Sequence, residues 1–192
     1  GVAKKGLILC SETYSKYIHK NDRTCRPLFS DGASATLLSE SNSDNIGPFV
    51  FGTDGSGYEK LIVRGGGARE PKNIDSSSSY GLLEMSGSDI FLFTLNTIPA
   101  CINMLLDKSN LKIDDIDLFV FHQASKLVLE NIIRNMSLEN DKVFINLKYV
   151  GNTVSASIPI ALKDAENQGR LKDGDRVMPV SYTHLTLPTN RE

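Results

Sequence analysis

The sequence predicts an α/β fold with a mainly parallel sheet. From residue 86 onward, helical and strand patterns alternate along the chain, which is typical of parallel sheets with covering helices. The run "DLFVF" at 117–121 is almost wholly apolar, as expected of a buried strand. The composition, 40% hydrophobic and 23% charged over 192 residues, is that of a globular protein with one domain or two small ones.

The N-terminal part of the chain predicts strands joined by loops. "GLILCSE" at 6–12 is a short apolar run and predicts a buried strand. "PLFSDGASATLLSE" at 27–40 has two apolar runs around the dipeptide Asp31-Gly32, which is a strong turn signal. Residues 64–81 are polar and without a period, and a loop of that length is usually functional or mobile.

A long helix is predicted over residues 86–108. Ser88 is a plausible N-cap, and Pro99 is expected to kink the helix. Apolar residues lie nearly all round it, so burial on every side is expected. Polar residues interrupt the apolar run, which indicates a buried helix and not a membrane span.

The remaining elements follow in order. Apolar spacing predicts a helix over 125–136 that is capped by Ser125, and "KVFINL" at 142–147 predicts a strand. A second helix over 155–169 should stop at Gly169. "LKDGDRVMPV" then supplies a turn and a final strand.

Charge and cysteine content exclude several functions. The net charge of −2 gives no attraction to nucleic acid or to an anionic membrane. Cys10, Cys25 and Cys101 form no CxxC pair, so neither a metal site nor a disulfide framework is predicted, and a reducing, cytoplasmic location is favoured. Hydrolase-elbow and phosphate-loop motifs are absent. Cys10 at a strand end is either a nucleophile or, more in keeping with its setting, a small buried hydrophobe.

His122 and Asn152 each follow a predicted strand, thirty residues apart. Taken singly, His122 could be a core or capping histidine, and the Asn could belong to a tight turn. Ligands in parallel sheets bind beyond the carboxyl ends of the strands, so both side chains are expected at one edge. Imidazole and carboxamide are neutral N–H donors, and a convergent pair would form an oxyanion hole for charge that develops on a carbonyl oxygen.

These motifs resemble the β-ketoacyl-ACP synthase III family of thiolase-fold condensing enzymes. "FHQAS" and "GNTVSASIPIAL" match the family's His and Asn motifs at His122 and Asn152. "LFSDGASATLL" resembles its F-G-D-G-A-x-A hairpin, with Ser30 in place of the usual Gly, and "MSGSDIFLFTL" resembles its M-x-G-x-x-V-F helix start. The likeness extends over residues 1–178.

The resemblance implies a truncated thiolase-like fold. Residues 1–44 would be the end of the N-terminal half, and residues 45–178 would be most of the C-terminal half. The family's nucleophilic Cys falls before Gly1, so these residues alone are expected to be inactive and to expose an apolar sheet face. The stretch 179–192 lacks the family's Gly-rich loop and is expected to be a non-native tail.

The resemblance also implies a reaction and its participants. An acyl thioester would be condensed with malonyl-ACP with loss of CO2, in fatty-acid or related lipid or polyketide synthesis. Acyl-CoA and malonyl-ACP would be substrates, and no cofactor would be permanently bound. His122 and Asn152 would stabilise the malonyl enolate.

The same resemblance implies roles for four further residues. Ser88 and Ser125 are candidates for a CoA or phosphopantetheine pocket, and Lys126 and Arg134 for contacts with acyl carrier protein. The full-length parent would be a homodimer, without nucleic acid or membrane partners. Two alternatives stay open: an acyl transferase to an alcohol or amine, and a non-catalytic binding homologue.

Overall fold

The structure is a computed structural model and describes residues 4–43, 45–68, 70–73 and 78–182. It contains three two-stranded sheets among these residues. The ten regular elements are β1 Lys5–Glu12, β2 Gly32–Ser39, β3 Leu61–Val63, β4 Leu83–Met85, α1 Gly87–Ser109, β5 Leu118–Phe121, α2 Lys126–Asn135, α3 Leu147–Val150, α4 Ser157–Asn167 and β6 Val177–Val180.

β1 and β2 form an antiparallel pair with Lys5 opposite Ser39 and Glu12 opposite Gly32. The turn predicted at Asp31-Gly32 is wrong, because Gly32 begins β2 and a longer segment joins the two strands. The Asp31 carboxylate instead accepts hydrogen bonds from the Ser15 amide at 2.9 Å and the Ser15 hydroxyl at 2.5 Å. Asp31 therefore holds the connection between the strands.

One face of this strand pair is apolar and open to solvent. Leu7 and Leu37 are cross-strand partners and are 60% and 67% exposed, and Leu9 on the same side is 69% exposed. The prediction that β1 is buried is therefore wrong for this chain, although its apolar run does form a strand. The other side of the pair lies against the start of α4 and the turn before it, since both contact these strands.

α1 follows the short antiparallel pair of β3 and β4. Its N-cap is Ser86 and not the predicted Ser88, and the Ser86 hydroxyl donates to the Asp89 carboxylate at 2.5 Å. Asn110, in the left-handed conformation with φ of 53°, ends the helix. The N-cap was therefore predicted two residues late, although the predicted range of 86–108 is within one residue of the observed helix at both ends.

Only one side of α1 is buried, contrary to the expectation of burial all round. Ile98, Ile102 and Leu106 are 1–7% exposed and join the main core, whereas Leu92 and Met104 are 57% and 51% exposed. The helix packs against α2 and not against a second covering layer. Among the described residues, α1 alone is long and apolar enough to cross a membrane, a weak indication because core helices meet the same criterion.

β5 and β6 form the parallel pair that the alternation predicts, with Leu118 opposite Val177 and Phe121 opposite Val180. All four β5 residues are at most 1% exposed. Phe119 and Phe121 pack into the cluster that includes α1 and α2, while Leu118 and Val120 pack against α4. β5 is thus buried on both faces between helices.

The predicted strand at 142–147 forms only one bridge. Val143 pairs in parallel with Phe119, and the Phe144 amide donates to the Phe119 carbonyl at 3.1 Å. The chain then turns into α3. The ladder stops because the amides of Asn146 and Leu147 donate to the Gln123 side chain at 3.1 and 3.2 Å.

β6 extends across the domain boundary that the sequence predicts at residue 178. A boundary after residue 178 would divide β6, which pairs with β5 as far as Val180. Tyr182 is 6% exposed and belongs to the same core cluster. Residues 179–182 are therefore packed with this unit, and the rest of the predicted tail, 183–192, lies outside the described residues.

Candidate functional site

His122 lies directly after β5, at the carboxyl end of the parallel pair. Its backbone amide donates to the Val180 carbonyl at 2.8 Å, which continues the ladder by one residue. The side chain is 6% exposed, and its Nδ1 lies 2.6 Å from the Ser157 hydroxyl oxygen on α4. The imidazole is thus held from the sheet by its backbone and from the helix by its ring.

Asn152 is held by the segment that leads into β2. Its amide donates to the Leu28 carbonyl and its carbonyl accepts from the Ser30 amide, both at 2.8 Å. Gly151, at φ 76° and ψ −170°, lies in a region that only glycine adopts readily. A Cβ on Gly151 would lie 2.1 Å from the Ser30 hydroxyl, so glycine also permits this close approach.

The Asn152 carboxamide has a defined orientation. The Val154 backbone N–H lies 2.9 Å from one atom of the carboxamide, and because an N–H only donates, that atom is the oxygen Oδ1. The amide nitrogen Nδ2 is therefore directed elsewhere and makes one long contact, 3.5 Å, to the Ala124 carbonyl. Val154 adopts φ of 53°, which is strained for a β-branched residue and is the local cost of presenting its N–H to Oδ1.

The structure brings His122 and Asn152 together through reciprocal contacts. The His122 ring contacts Ser157, five residues after Asn152, and the Asn152 amide contacts Ala124, two residues after His122. Asn152 is 5% exposed, so both polar groups lie in a nearly dry interior. Neutral N–H donors in such a place interact more strongly with developing negative charge than they would in water.

Gln123 is a residue of this site that sequence reasoning missed. It is 0% exposed, and its Nε2 donates to the carbonyls of Phe121 at 2.8 Å and Phe144 at 3.5 Å. Its Oε1 accepts the amides of Asn146 and Leu147. The side chain therefore joins the end of β5 to the segment that leads to Asn152. A polar residue that directly follows a buried strand was the available signal.

The remaining candidate residues lie on helix starts and helix surfaces. Ser125 is the N-cap of α2, as predicted, and its hydroxyl accepts from the Val128 amide at 3.3 Å. Ser88 is exposed on the first turn of α1, and among the described residues no hydrogen bond joins it to His122 or Ser125. The structure does not bring the two serines into contact through hydrogen bonds.

Lys126 and Arg134 are exposed cations on α2. The Lys126 ammonium lies 3.6 Å from the Glu130 carboxylate, one turn along the helix. Arg134 donates to the Asn131 side chain. Glu130 and Asn131 are on α2 as well, and exposed ion pairs are weak. A carboxylate or phosphate group of a partner could therefore displace these contacts at little cost in free energy.

None of the three cysteines is in the first turn of an α-helix that the structure describes. Cys10 is within β1, Cys101 is within α1, and Cys25 is 2% exposed. Burial, together with the negative charge of Asp22, raises the pKa of the Cys25 thiol to about 11. Cys25 is therefore a protonated thiol at neutral pH and a poor nucleophile.

Within the part of the chain that the structure describes, no cluster of three or more His, Cys, Asp or Glu residues could hold a metal ion.

A cleft of about 900 Å³ lies between α1, β6 and residues 50–57. Its wall includes the exposed side of α1 around Phe93, Cys101 and Met104. Neither His122 nor Asn152 lines it. The wall of the cleft nevertheless includes Tyr182, whose ring packs edge-on against the His122 ring with centroids 5.2 Å apart.

A parallel strand pair packed between helices, with polar side chains beyond its carboxyl end, defines a class of α/β proteins that bind ligands at that edge of the sheet. Residues 1–55 match the model of the family described as "3-Oxoacyl-[acyl-carrier-protein (ACP)] synthase III". Residues 106–183 match the model described as "3-Oxoacyl-[acyl-carrier-protein (ACP)] synthase III C terminal". The two matches together cover more than half of the chain. The chain belongs to the 3-oxoacyl-ACP synthase III family.

Curated relatives support this assignment. The β-ketoacyl-ACP synthase III of Clostridium tetani is 36% identical over 190 residues, which are 95% of this chain and 57% of the relative. That of Clostridium perfringens is 36% identical over 183 residues, 95% of this chain and 56% of the relative. The chain therefore spans little more than half the length of these relatives.

Solved structures give the same fold. A 3-oxoacyl-ACP synthase III crystal structure aligns with a TM-score of 0.89 at 36% identity, over 95% of this chain and 58% of the other. The enzyme of Thermus thermophilus aligns with a TM-score of 0.84 at 34% identity, over 94% of this chain and 56% of the other. The fold is a truncated thiolase-like α/β fold, as predicted.

Proposed function

We propose that this chain carries the enolate-stabilising part of a 3-oxoacyl-ACP synthase III that condenses an acyl thioester with malonyl-ACP. The observation that carries the proposal is the pair of buried donors, His122 and Asn152, which are held to each other's segments. Family membership supplies the reaction class. Loss of CO2 from a malonyl thioester places negative charge on the thioester oxygen, and neutral N–H donors are suited to that charge.

The reaction divides into two steps of electron flow. The bond between the malonyl carboxylate and the α-carbon breaks, CO2 leaves, and the electron pair becomes the enolate. The enolate carbon then attacks the acyl thioester on the enzyme's Cys, forms the new carbon–carbon bond and expels the thiolate. His122 and Asn152 act in the first step, by hydrogen-bonding the enolate oxygen through Nε2–H and Nδ2–H.

The acyl-accepting Cys of the proposed reaction is none of the three in this chain. Burial and the charge of Asp22 raise the pKa of the Cys25 thiol, and Cys10 and Cys101 lie inside a strand and inside a helix and not at the first turn of a helix. The 192 residues alone are therefore expected not to condense substrates. Residues 1–44 are proposed to belong to the N-terminal half and residues 45–178 to the C-terminal half. The open apolar face of Leu7, Leu9 and Leu37 fits a sheet that another layer covers in the whole protein.

Acyl carrier protein is the proposed partner, as the names of the relatives indicate. Lys126 and Arg134 lie on the same exposed side of α2, close to His122 in the chain, and would face an acidic carrier. Ser88 and Ser125 would contact the phosphopantetheine arm. The substrates would be acyl-CoA and malonyl-ACP with no resident cofactor, in a cytoplasmic homodimer of the whole protein.

The test separates the enolate step from condensation. The chain is incubated with malonyl-CoA, and conversion to acetyl-CoA and CO2 is measured, because this step needs the two donors but no Cys. His122→Ala and Asn152→Ala should each lower the rate by roughly a hundred- to thousand-fold. Ser155→Ala, at an exposed site in the same segment, is the matched control. Equal rates in all four proteins would refute the proposal.

The two alternatives predict other results. A transferase to an alcohol or amine would not release CO2 from malonyl-CoA. A non-catalytic homologue would give a rate that is insensitive to both substitutions. Val154 fixes the orientation of the Asn152 carboxamide although its own backbone is strained. Backbone strain is typical of functional sites, so this observation favours a catalytic role over a non-catalytic binding homologue.

A further inference from the structure

We propose that Ser157 is a positioning residue that fixes His122 in the tautomer with its proton on Nε2. This inference rests on the proposed function, because only that tautomer can donate from Nε2 to an enolate oxygen. The observation is the 2.6 Å contact between the Ser157 hydroxyl oxygen and Nδ1 of His122. Ser157 is 2% exposed and begins α4.

The direction of this hydrogen bond follows from what surrounds the hydroxyl. Among the described residues, the Ser157 hydroxyl makes this one hydrogen bond. Among the described residues, no hydrogen bond joins the Ser157 hydroxyl to the Thr153 carbonyl, the backbone acceptor four residues before it. If Nδ1 carried the proton, Ser157 would accept, and its own proton would be buried without an acceptor. That penalty corresponds to roughly a tenfold or larger bias against the Nδ1–H tautomer.

The same segment orients both donors by the same principle. The Val154 N–H occupies Oδ1 of Asn152, so its Nδ2–H is the outward donor. The Ser157 O–H occupies Nδ1 of His122, so its Nε2–H is the outward donor. Residues 154–157 thus occupy Oδ1 of Asn152 and Nδ1 of His122, which assigns the donor role to the other nitrogen of each side chain. Ser157 acts through His122 and does not itself contact the reacting atoms.

The experiment measures the tautomer directly, by long-range ¹H–¹⁵N correlation spectra of the imidazole rings in the ¹⁵N-labelled chain at neutral pH. The chain has three histidines, so the His122 signals are assigned by comparison with His122→Gln. In the wild type, Nδ1 should have the shift of an unprotonated ring nitrogen. In Ser157→Ala, the tautomer ratio should move at least tenfold toward that of the urea-unfolded chain. Ser155→Ala should leave it unchanged.

Alanine favours helix, so Ser157→Ala is expected to fold. Ser157→Cys keeps the volume with a weaker donor and should give an intermediate ratio. A protonated Nδ1 in the wild type would overturn the proposal without any variant, and so would identical ratios in Ser157→Ala and Ser155→Ala. The tautomer measurement is independent of malonyl-CoA turnover. If His122 has the expected tautomer but the chain does not decarboxylate malonyl-CoA, only the proposed function is refuted. Decarboxylation with an unchanged tautomer would refute the role of Ser157 alone.

Discussion

Replacing Gln123 by Leu tests whether a single side chain joins the two strand ends that carry the donors. Leu is close in size but has no polar atoms, so four backbone groups lose their partner: the carbonyls of Phe121 and Phe144 and the amides of Asn146 and Leu147. The site is fully buried, since Gln123 is 0% exposed, and water cannot replace the lost bonds.

The magnitude follows from these contacts. Each buried backbone group left unpaired costs about 1–3 kcal/mol. The contact to Phe144 is long at 3.5 Å, and the Leu147 amide is only partly buried, so both count for less. The expected loss is about 3 kcal/mol in the free energy of unfolding. For a domain whose whole stability is about 5–15 kcal/mol, this is a large share.

The assay is urea unfolding of the dilute protein followed by circular dichroism, and hydrogen exchange of the Asn146 and Leu147 amides. Gln168→Leu is the matched control, because Gln168 is exposed beyond the end of α4. Gln123→Leu should unfold at lower urea, and the two amides should exchange faster than the rest of the core. If both variants lie within about 0.5 kcal/mol of each other, the reasoning about this connection is wrong.

Three further predictions concern other parts of the chain. Gly151→Ala should destabilise the fold by about 3 kcal/mol or more, from the strained backbone and the approach of Ser30. Gly169→Ala, at positive φ but in open space, should cost about 1 kcal/mol in the same melts, and Ser30→Gly should recover only part of the Gly151→Ala loss. Hydrogen bonds from the Thr24 hydroxyl and the amides of Cys25 and Thr24 lower the pKa of Asp22 in the folded protein to about 2. Ionised Asp22 therefore contributes to the free energy of unfolding above the unfolded pKa of about 3.9, and this contribution is lost as pH falls through about 2. Between pH values of about 2 and about 3.9, the free energy of unfolding should therefore fall less steeply with acid in Asp22→Asn than in the wild type. Equal slopes for the two proteins would contradict this prediction. Leu37→Lys should reduce self-association in light scattering, because it charges the open apolar face, whereas Tyr149→Lys, at an isolated residue that is 85% exposed, should not.

Strand and helix types were largely predictable where the pattern is local. The apolar run of β5, the Ser125 cap of α2 and the stop at Gly169 follow from side-chain chemistry within a few residues. The failures lie where a distant group decided the outcome. Asp31-Gly32 has the chemistry of a turn, but strand pairing with Glu12 placed Gly32 in β2. The strand predicted at 142–147 lost its ladder to Gln123.

By itself, the sequence determined the family and placed His122 at the end of a buried strand, because motif spacing and apolar periodicity are written in consecutive residues. The strand predicted before Asn152 was wrong, since α3 precedes it. Tertiary structure alone decided how those groups are oriented. Ser157 contacts the His122 ring, and the Gln123 side chain accepts the amides of Asn146 and Leu147, in each case across more than twenty residues of chain. No local pattern records that Ser157 faces an imidazole, since the contact joins residues 35 positions apart.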